Sequence, residues 1–306
     1  MAPRTVPAPA TLAGLDPALR TAVRGFETIA INSAKEVRDI IPYLYKKKVF
    51  EPKKITMPVY AGIGGGGEWD GKSVITPNDL TFLYDVTAEN LIYANAAEHS
   101  FEAENFDLYK LQGKRKWKEL GKNAAHVQQM AALNPFNLGF TVNWADGVPF
   151  FSDNHPLLGG GTQSNLVHGP LSYDTVMDGY IKGISMVDPL GREVTQDLTA
   201  IYVARHNVPY AKSILNIGMK EAAGSANHDR NPFADENVHV IPLAWPLTHN
   251  GFIMQFSESE AYHSGKMPIT FRKPRETDAE GIKQSVVWID AFWFEGYTGF
   301  VASSGL

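Results

Sequence analysis

Hydrophobic positions recur at helical spacing in two shorter segments of the chain. Leu19 to Ile41 predicts a helix that Pro42 ends, because proline cannot continue a helical hydrogen-bond ladder. Ser172 to Met186 predicts a second helix with Ser172 as its N-cap. The apolar anchors of the first segment are Val23, Phe26, Ala30, Val37 and Ile40.

The longest predicted helix runs from Glu102 to Leu133, with Asn134 and Pro135 marking its end. Gly113 and Gly121 each weaken helical propensity by about 1 kcal/mol. Its apolar stripe consists of Phe106, Leu108, Leu111, Trp117, Leu120, Val127, Met130 and Leu133. Its basic residues are Lys110, Lys114, Arg115, Lys116, Lys118 and Lys122. These residues favour an ordinary solvated face with salt bridges, and contact with nucleic-acid phosphates is the alternative.

Short β-like runs flank a glycine cluster in the first third of the chain. Ile55 to Ala61, Leu80 to Val86 and Leu91 to Ala94 surround Gly62 to Gly67. We predict a long hairpin or loop with a flexible tip. A two-stranded hairpin is marginally stable alone and needs a partner surface, which points to an intersubunit role.

Strands and helices interleave in the remainder of the chain. The pattern predicts a short strand at Val148 to Ser152 and a helix at Pro209 to Glu221. Interleaving of this kind predicts a mixed α+β domain with a central sheet. The other predicted strands are Ala200 to Ala204, Val238 to Leu243, Phe252 to Phe256 and Ser285 to Phe294.

Composition narrows the functional classes. The 306 residues are 44% hydrophobic and 20% charged, with a net charge of -5 and a pI near 6.0, which argues against a dedicated nucleic-acid binder. The chain has no cysteine, so disulfides, thiolate metal sites and a cysteine nucleophile are excluded. Met1 to Arg20 is rich in proline and alanine and has no signal-peptide core. This arm is either disordered or laid across a neighbouring subunit.

One segment matches a nucleotide-binding pattern. Gly66 to Ser73, GGEWDGKS, fits G-x-x-x-x-G-K-[ST], in which backbone N–H groups and the lysine hold phosphates. The pattern requires a helix opening at the lysine, but Pro77 follows closely and would cost a helix about 3 kcal/mol. We keep a nucleotide-binding enzyme as the alternative hypothesis.

His155 is the most notable of nine scattered histidines, since it stands in the turn-like segment Asp153-Asn154-His155-Pro156. Neither H-E-x-x-H nor the G-x-S-x-G elbow of serine hydrolases is present. We interpret His155 as a hydrogen-bonded turn residue, with a metal or catalytic role as the alternative.

The order of several segments resembles the Mu-like, gpT-like major head subunits of tailed bacteriophages. The most specific is Val148 to Asn165, VPFFSDNHPLLGGGTQSN, followed by a helix start at Leu171 and Ser172. Each motif is loose alone, and their order carries the resemblance. The others are Thr81 to Phe101, Glu102 to Leu133, Met186 to Gly191, Thr199 to Leu215, Asn231-Pro232-Phe233 and Val238 to Pro242.

The resemblance implies an α+β fold of the Hong Kong 97 type. It implies a capsid protein that forms hexamers and pentamers in an icosahedral shell around phage DNA, assembled in the host bacterial cytoplasm and located in the virion. It implies no enzymatic activity, cofactor, metal site or membrane association. The implied parts are an N-terminal arm and first helix (1–45), an extended E-loop hairpin (46–101), a spine helix and P-domain (102–165), mainly A-domain (166–284) and a returning C-terminal strand (285–306).

The resemblance also implies partners and assembly residues. Only a short arm precedes the first helix, so we expect either a separate scaffold protein or a trimmed chain that begins with a new Met. The other expected partners are a portal, a possible decoration protein and packaged DNA, contacted without sequence preference. Some relatives cross-link a lysine to an asparagine, but no motif in this sequence indicates which residues would form such a pair. We expect the hairpin tip to contact neighbouring subunits through Gly64, Gly65, Gly66, Gly67, Trp69 and Lys72.

Overall fold

A computed structural model describes residues 27–63, 78–99, 111–216, 219–221, 228–230, 233, 238–243, 251–272, 275–276 and 282–305. In this part of the chain α1 comprises residues 27–35, and a 3₁₀ turn, Arg205–Asn207, precedes the last helix. The other helices are α2 (Ile41–Leu44), α3 (Leu111–Leu138), α4 (Tyr173–Ile184) and α5 (Val208–Asn216).

Strands occur along the whole described chain. The longer ones are β2 (Lys54–Ile63), β3 (Leu80–Glu89), β4 (Leu91–His99), β8 (Leu198–Ala204), β11 (His239–Leu243), β12 (Phe252–Phe256), β14 (Met267–Phe271), β16 (Ile282–Asp290) and β18 (Phe300–Ser303). The shorter ones are β1 (Lys46–Lys47), β5 (His155–Pro156), β6 (Thr162–Gln163), β7 (Leu166–Val167), β9 (Met219–Glu221), β10 (His228–Arg230), β13 (Ala261–His263), β15 (Arg275–Glu276) and β17 (Phe292–Phe294).

The chain forms two compact units. The first unit groups residues up to Ile55 with Glu89–Ala132 and His263–Phe292, and the second groups Thr56–Ala88, Leu133–Tyr262 and Trp293–Leu306. Both units combine sequence-distant segments, so neither could be delimited by a break in composition. The mixed α+β class predicted from the pattern is confirmed.

The first unit contains an antiparallel sheet in which β16 is central. β14 and β15 pair with one edge of β16, and β4 pairs with the other over nine residues, from Leu91↔Asp290 to His99↔Ile282. The first half of α3 packs on this sheet through Trp117 and Leu120, which meet Val286 and Trp288 in one buried cluster. Alternate residues of β16 therefore face the helix, as the two-residue period of a strand requires.

A close approach of two helices explains Gly121 in α3. A Cβ at this position would lie 2.0 Å from the carbonyl oxygen of Ala30 in α1 and 2.5 Å from the Ser33 hydroxyl. Ser33 also donates to the carbonyl oxygen of Lys118 at 2.9 Å. The residue that weakens the helix locally is thus the one that lets α1 and α3 touch.

We expect Gly121→Ala to destabilise the protein by about 1 to 3 kcal/mol, because overpacking against a backbone atom outweighs the gain in helix propensity of about 1 kcal/mol. The measurement is the free energy of unfolding in urea. Gly159→Ala is the matched control, since no atom lies within 4 Å of a Cβ there. Equal stability of the two variants would contradict this account of the α1–α3 contact.

The second unit is built on a five-stranded sheet of order β11-β8-β12-β18-β7. β11 and β8 are parallel, as are β18 and β7, whereas β12 is antiparallel to both of its neighbours. Helix α4 packs so closely that a Cβ on Gly183 would meet the Phe256 ring at 1.9 Å. The buried cluster also includes Val203, Phe252, Met254 and Val301.

The predicted start of α4 is confirmed. Ser172 is its N-cap and accepts a hydrogen bond from the Thr175 backbone N–H, and the Thr175 hydroxyl accepts one from the Ser172 N–H. This reciprocal pair satisfies two donors that a helix start otherwise leaves open. The strands predicted at Ile55 to Ala61, Leu80 to Val86 and Leu91 to Ala94 are also confirmed, each within a longer observed strand.

Three helix boundaries predicted from proline or periodicity are wrong. Pro42 does not end a helix but lies in the first turn of α2, where its missing N–H is harmless. Pro135 lies inside α3, which continues to Leu138. The predicted helix at Pro209 to Glu221 ends at Asn216, because Met219–Glu221 instead pairs with His228–Arg230 as a β-ladder.

The predicted strand at Val148 to Ser152 is also wrong. The segment is irregular, with one isolated bridge between Asn143 and Pro149. Phe150 and Phe151 are each only 2% exposed and pack among aromatic rings rather than in a ladder. A short apolar run has no period that separates a strand from a buried loop.

Candidate functional site

The hairpin formed by β2 and β3 is the clearest two-sided surface of the second unit. In β2 exposed residues alternate with partly buried ones from Lys54 to Tyr60, as in a strand with one solvated face. Ala61, Val86 and Ala88 are at most 4% exposed, so one side of the hairpin is covered. Pro58 offers no donor, which suits a strand with an unpaired edge.

A tyrosine anchors the covered side. The Tyr84 hydroxyl donates to the carbonyl oxygen of Glu295 at 3.3 Å, and its ring lies 5.0 Å from that of Trp144 in a T-shaped contact. Burial, followed by the negative charge of Asp146, raises the pKa of Tyr84 well above its usual value. The hydroxyl therefore stays protonated and remains a donor at any ordinary pH.

Apolar side chains stay exposed towards the end of this hairpin. We call Tyr60, Ile63, Leu80 and Phe82 the distal patch; their exposed fractions are 48%, 57%, 53% and 52%. The Tyr60 and Phe82 rings contact each other edge to face with centroids 6.1 Å apart. Exposed aromatic residues close together are typical of a surface that another protein covers.

Arg192, which forms an ion pair with Asp188, holds the end of β2 at Ile63. Arg192 donates from Nη1 to the carbonyl oxygen of Ile63 at 3.3 Å and pairs with Asp188 through Nη2 at 2.6 Å. Burial opposes ionisation of Asp188, but the hydrogen bonds and charge of Arg192 outweigh it and hold the pKa of the carboxyl below its usual value. The Arg192–Asp188 ion pair thus attaches the end of the hairpin to another segment of the same unit.

The predicted tip residues Gly64, Gly65, Gly66, Gly67, Trp69 and Lys72 lie outside the described residues, as does the whole of the Gly66 to Ser73 pattern. Their assembly role and the phosphate-loop alternative both stay predictions. The structure adds Tyr60 and Phe82, which sequence reasoning did not single out as contact residues. Their signal was weak, because an aromatic residue in a strand is equally typical of a core position.

The basic residues of α3 include two with acidic partners. Lys118 and Lys122 lie 3.7 Å and 3.1 Å from Glu36. The hydrogen bond from Lys122 and the charges of both lysines hold the pKa of Glu36 below its usual value. These pairs favour the interpretation of a solvated, ion-paired face.

His155 makes the hydrogen bonds that the sequence interpretation expected, but it lies in the short strand β5 rather than in a turn, because it pairs with Gln163. Its ring nitrogens lie 2.6 Å from Asp146 Oδ2 and 3.1 Å from Asn165 Oδ1, and its side chain is fully buried in β5. In the described part of the chain no three His, Asp or Glu side chains are grouped so that they could hold a metal ion. Among the helices described here, none is long and apolar enough to cross a membrane.

The fold of the chain has relatives among solved structures. No protein-family model and no curated protein matches the chain. Chains of similar fold occur in Microbacterium phage Oxtober96 (TM-score 0.53, 9% identity, covering 86% of this chain and 89% of that one) and in a virus-like particle from Pyrococcus furiosus (0.53, 6%, 92% and 98%). A third is from the Cyanophage Pam1 capsid asymmetric unit (0.50, 11%, 82% and 84%).

The chain has the fold of a phage capsid protein. Coverage above 80% of both chains means that the similarity involves most of the fold rather than one embedded motif. At sequence identities of 11% or less, the role of a residue in a relative cannot be transferred to this chain.

Proposed function

We propose that this chain is the major capsid protein of a tailed bacteriophage, a structural subunit of the shell that encloses phage DNA. The observation that carries the proposal is the match of the capsid fold over most of both chains. The exposed distal patch supports it, because apolar aromatic surface on a hairpin is costly unless another subunit covers it. The role is structural rather than enzymatic.

The finer assignment is to the Mu-like, gpT-like group with the Hong Kong 97-type fold. Under this proposal residues 46–101 form the E-loop and 102–165 contain the spine helix and P-domain. Residues 166–284 form mainly the A-domain, which meets its counterparts around five-fold and six-fold axes, and 285–306 form a C-terminal strand that returns to the P-domain and A-domain. The N-terminal arm and first helix comprise 1–45, and the arm and the long hairpin lie over neighbouring subunits. The order of sequence motifs supports this group.

Assembly into hexamers and pentamers is a set of head-to-tail contacts, in which one surface of a subunit meets a different surface of the next. The distal patch supplies one of those surfaces. The proposed partners are further copies of the chain, a separate scaffold protein, a portal, a possible decoration protein and packaged DNA contacted without sequence preference. The proposed location is the virion, after assembly in the bacterial cytoplasm.

The test is to express the chain alone, separate it on a size gradient under crowding conditions, and view each fraction by negative-stain microscopy. We expect rings of five or six subunits, or closed particles. A chain that stays monomeric at the highest attainable concentration and binds ATP tightly, with binding abolished in Lys72→Ala, would instead establish the nucleotide-binding alternative.

For the tip we expect Trp69→Ala to leave the subunit folded and to lower shell yield and heat resistance. A buried aromatic anchor at an interface contributes about 2 kcal/mol or more per contact. The measurements are the yield of particles and the temperature at which the shells dissociate. Trp69→Phe is the control, because it keeps an aromatic ring at this position. Shells of unchanged yield and heat resistance from Trp69→Ala would remove the tip from the interface.

A further inference from the structure

The second unit contains a buried polar chain made by Asp146, His155 and Asn165. The side chains of His155 and Asn165 are fully buried, and that of Asp146 is 5% exposed. Buried polar groups are stable only when hydrogen-bonded, so the positions of their protons are constrained. Which atoms carry those protons can be deduced from the surrounding donors and acceptors.

The orientation of the Asn165 amide is fixed by its backbone partners. Its Nδ2 donates to the carbonyl oxygen of Phe150 at 2.8 Å, and its Oδ1 accepts from the backbone N–H of Ser152 at 2.9 Å. If the two ends of the amide were exchanged, its NH₂ group would face the Ser152 N–H donor and its oxygen would face the Phe150 carbonyl acceptor. The atom that faces His155 Nε2 at 3.1 Å is therefore an oxygen, which can only accept.

The other ring nitrogen faces a carboxylate. Asp146 Oδ2 lies 2.6 Å from His155 Nδ1, and Asp146 Oδ1 accepts from the backbone N–H of Val148 at 3.2 Å. A carboxyl group is the stronger acid by about 2 to 3 pKa units in model compounds. Both oxygens of Asp146 thus face N–H groups as acceptors, and the proton shared with His155 is placed on the ring.

We propose that His155 carries protons on both ring nitrogens and forms a buried ion pair with Asp146 that holds the segment from Trp144 to Asn165 in place. Each nitrogen faces an acceptor, and a neutral imidazole has only one N–H to offer. A third contact agrees with a cationic ring: Tyr297 stacks on it with centroids 3.8 Å apart and an angle of 8°.

The two tyrosines near Asp146, Tyr84 and Tyr297, are uncharged. Burial, and then the charge of Asp146, raises the pKa of Tyr297 to about 12, so this phenol is neutral beside the imidazolium. Tyr84, whose pKa is raised by burial and by Asp146, is neutral as well. Asp146 is thus the charged group among the described side chains shown in contact with the ring, which are Asp146, Asn165 and Tyr297.

The ion pair connects an irregular segment to the central sheet of its unit. The carbonyl oxygen of Asn165 accepts from the Ala302 N–H at 3.0 Å, and the following residues, Leu166 and Val167, pair with β18. The side-chain contacts of His155 join residues 144–154 to this sheet, in addition to backbone hydrogen bonds such as those of Phe151 to Gly139 and of Asn165 to Ser152. His155 is in this sense a positioning residue whose effect depends on its second proton.

The test is nitrogen-15 NMR of the full chain with labelled histidine rings at neutral pH, in assembled or soluble form. His155→Gln assigns the two resonances by difference. We expect both nitrogens of His155 to carry a proton. A resonance of the deprotonated, imine type on either nitrogen would overturn the proposal. This result does not depend on whether the chain assembles.

Asp146→Asn tests the pairing itself. Without the carboxylate we expect one His155 nitrogen to shift to the imine type and the melting temperature to fall. Retention of both protons in this variant would refute the ion pair, and the wild-type spectrum alone decides the protonation if the variant does not fold.

Discussion

Replacing Tyr60 and Phe82 together by alanine should leave the subunit folded and prevent shell formation at ordinary concentrations. Both rings are about half exposed in the single subunit, where the substitutions remove one edge-to-face ring pair, worth about 0.5 to 1.5 kcal/mol. In the proposed shell the same rings are buried by a neighbour. The main effect is therefore expected on assembly rather than on folding.

The size of the effect follows from the energetics of interface anchors. Two aromatic anchors contribute about 2 to 4 kcal/mol or more to an interface. The subunit concentration needed for assembly should therefore rise by roughly 30- to 700-fold, at a factor of ten for each 1.4 kcal/mol. Sedimentation over a concentration series measures this threshold, and thermal unfolding of the unassembled subunit measures the fold.

The matched control is the pair Thr56→Ala and Thr87→Ala. These residues lie in the same hairpin, are exposed, and contact each other through their hydroxyls at 3.3 Å. They carry little apolar surface, so we expect the assembly threshold to change less than threefold. If the aromatic variant assembles at the wild-type threshold, the distal patch is not an intersubunit surface.

Asn165→Ala should destabilise the second unit by about 3 to 5 kcal/mol. The substitution leaves the Phe150 carbonyl, the Ser152 N–H and the His155 ring without the partner that the amide supplies, and each buried unsatisfied group costs about 1 to 3 kcal/mol. Urea unfolding of the unassembled chain, followed by tryptophan fluorescence, measures the change in stability.

Asn154→Ala is the control for this prediction, because its side chain is on the same segment but exposed. We expect it to change stability by less than about 0.5 kcal/mol. A destabilisation by Asn165→Ala no larger than that by Asn154→Ala would mean that the buried amide does not hold the segment between α3 and β7.

The boundaries that sequence reasoning missed share a physical cause. Pro135 removes a helical hydrogen bond at a cost of about 3 kcal/mol, yet α3 continues through it. Phe136, the next residue, is 1% exposed and contacts the rings of Phe294 and Phe300. Burial of a phenylalanine contributes about 1.5 to 3 kcal/mol, and each aromatic pair adds to it. Packing against distant residues offset a local preference.

The same cause applies where a predicted helix became a strand. Residues 219–221 follow a helical pattern in sequence, but in the structure they pair with 228–230, and a ladder partner leaves no trace in the local pattern. The buried chain through Asp146, His155 and Asn165 illustrates the complementary case. The sequence marked His155 as a hydrogen-bonded residue, but its two acceptors are side chains nine and ten residues away.

The sequence by itself determined the local features of this protein. It specified the part of the long helix over 111–133, the hairpin strands, the Ser172 cap and the α+β class, because periodicity, capping and turn chemistry depend on neighbouring residues. The predicted start of that helix, 102–110, lies outside the described residues. Tertiary structure decided which segments share a unit, why Gly121 must be glycine, and which side chains remain exposed at the end of the hairpin. Those outcomes depend on contacts between residues far apart in the chain, and the local pattern of hydrophobic and polar residues does not predict such contacts.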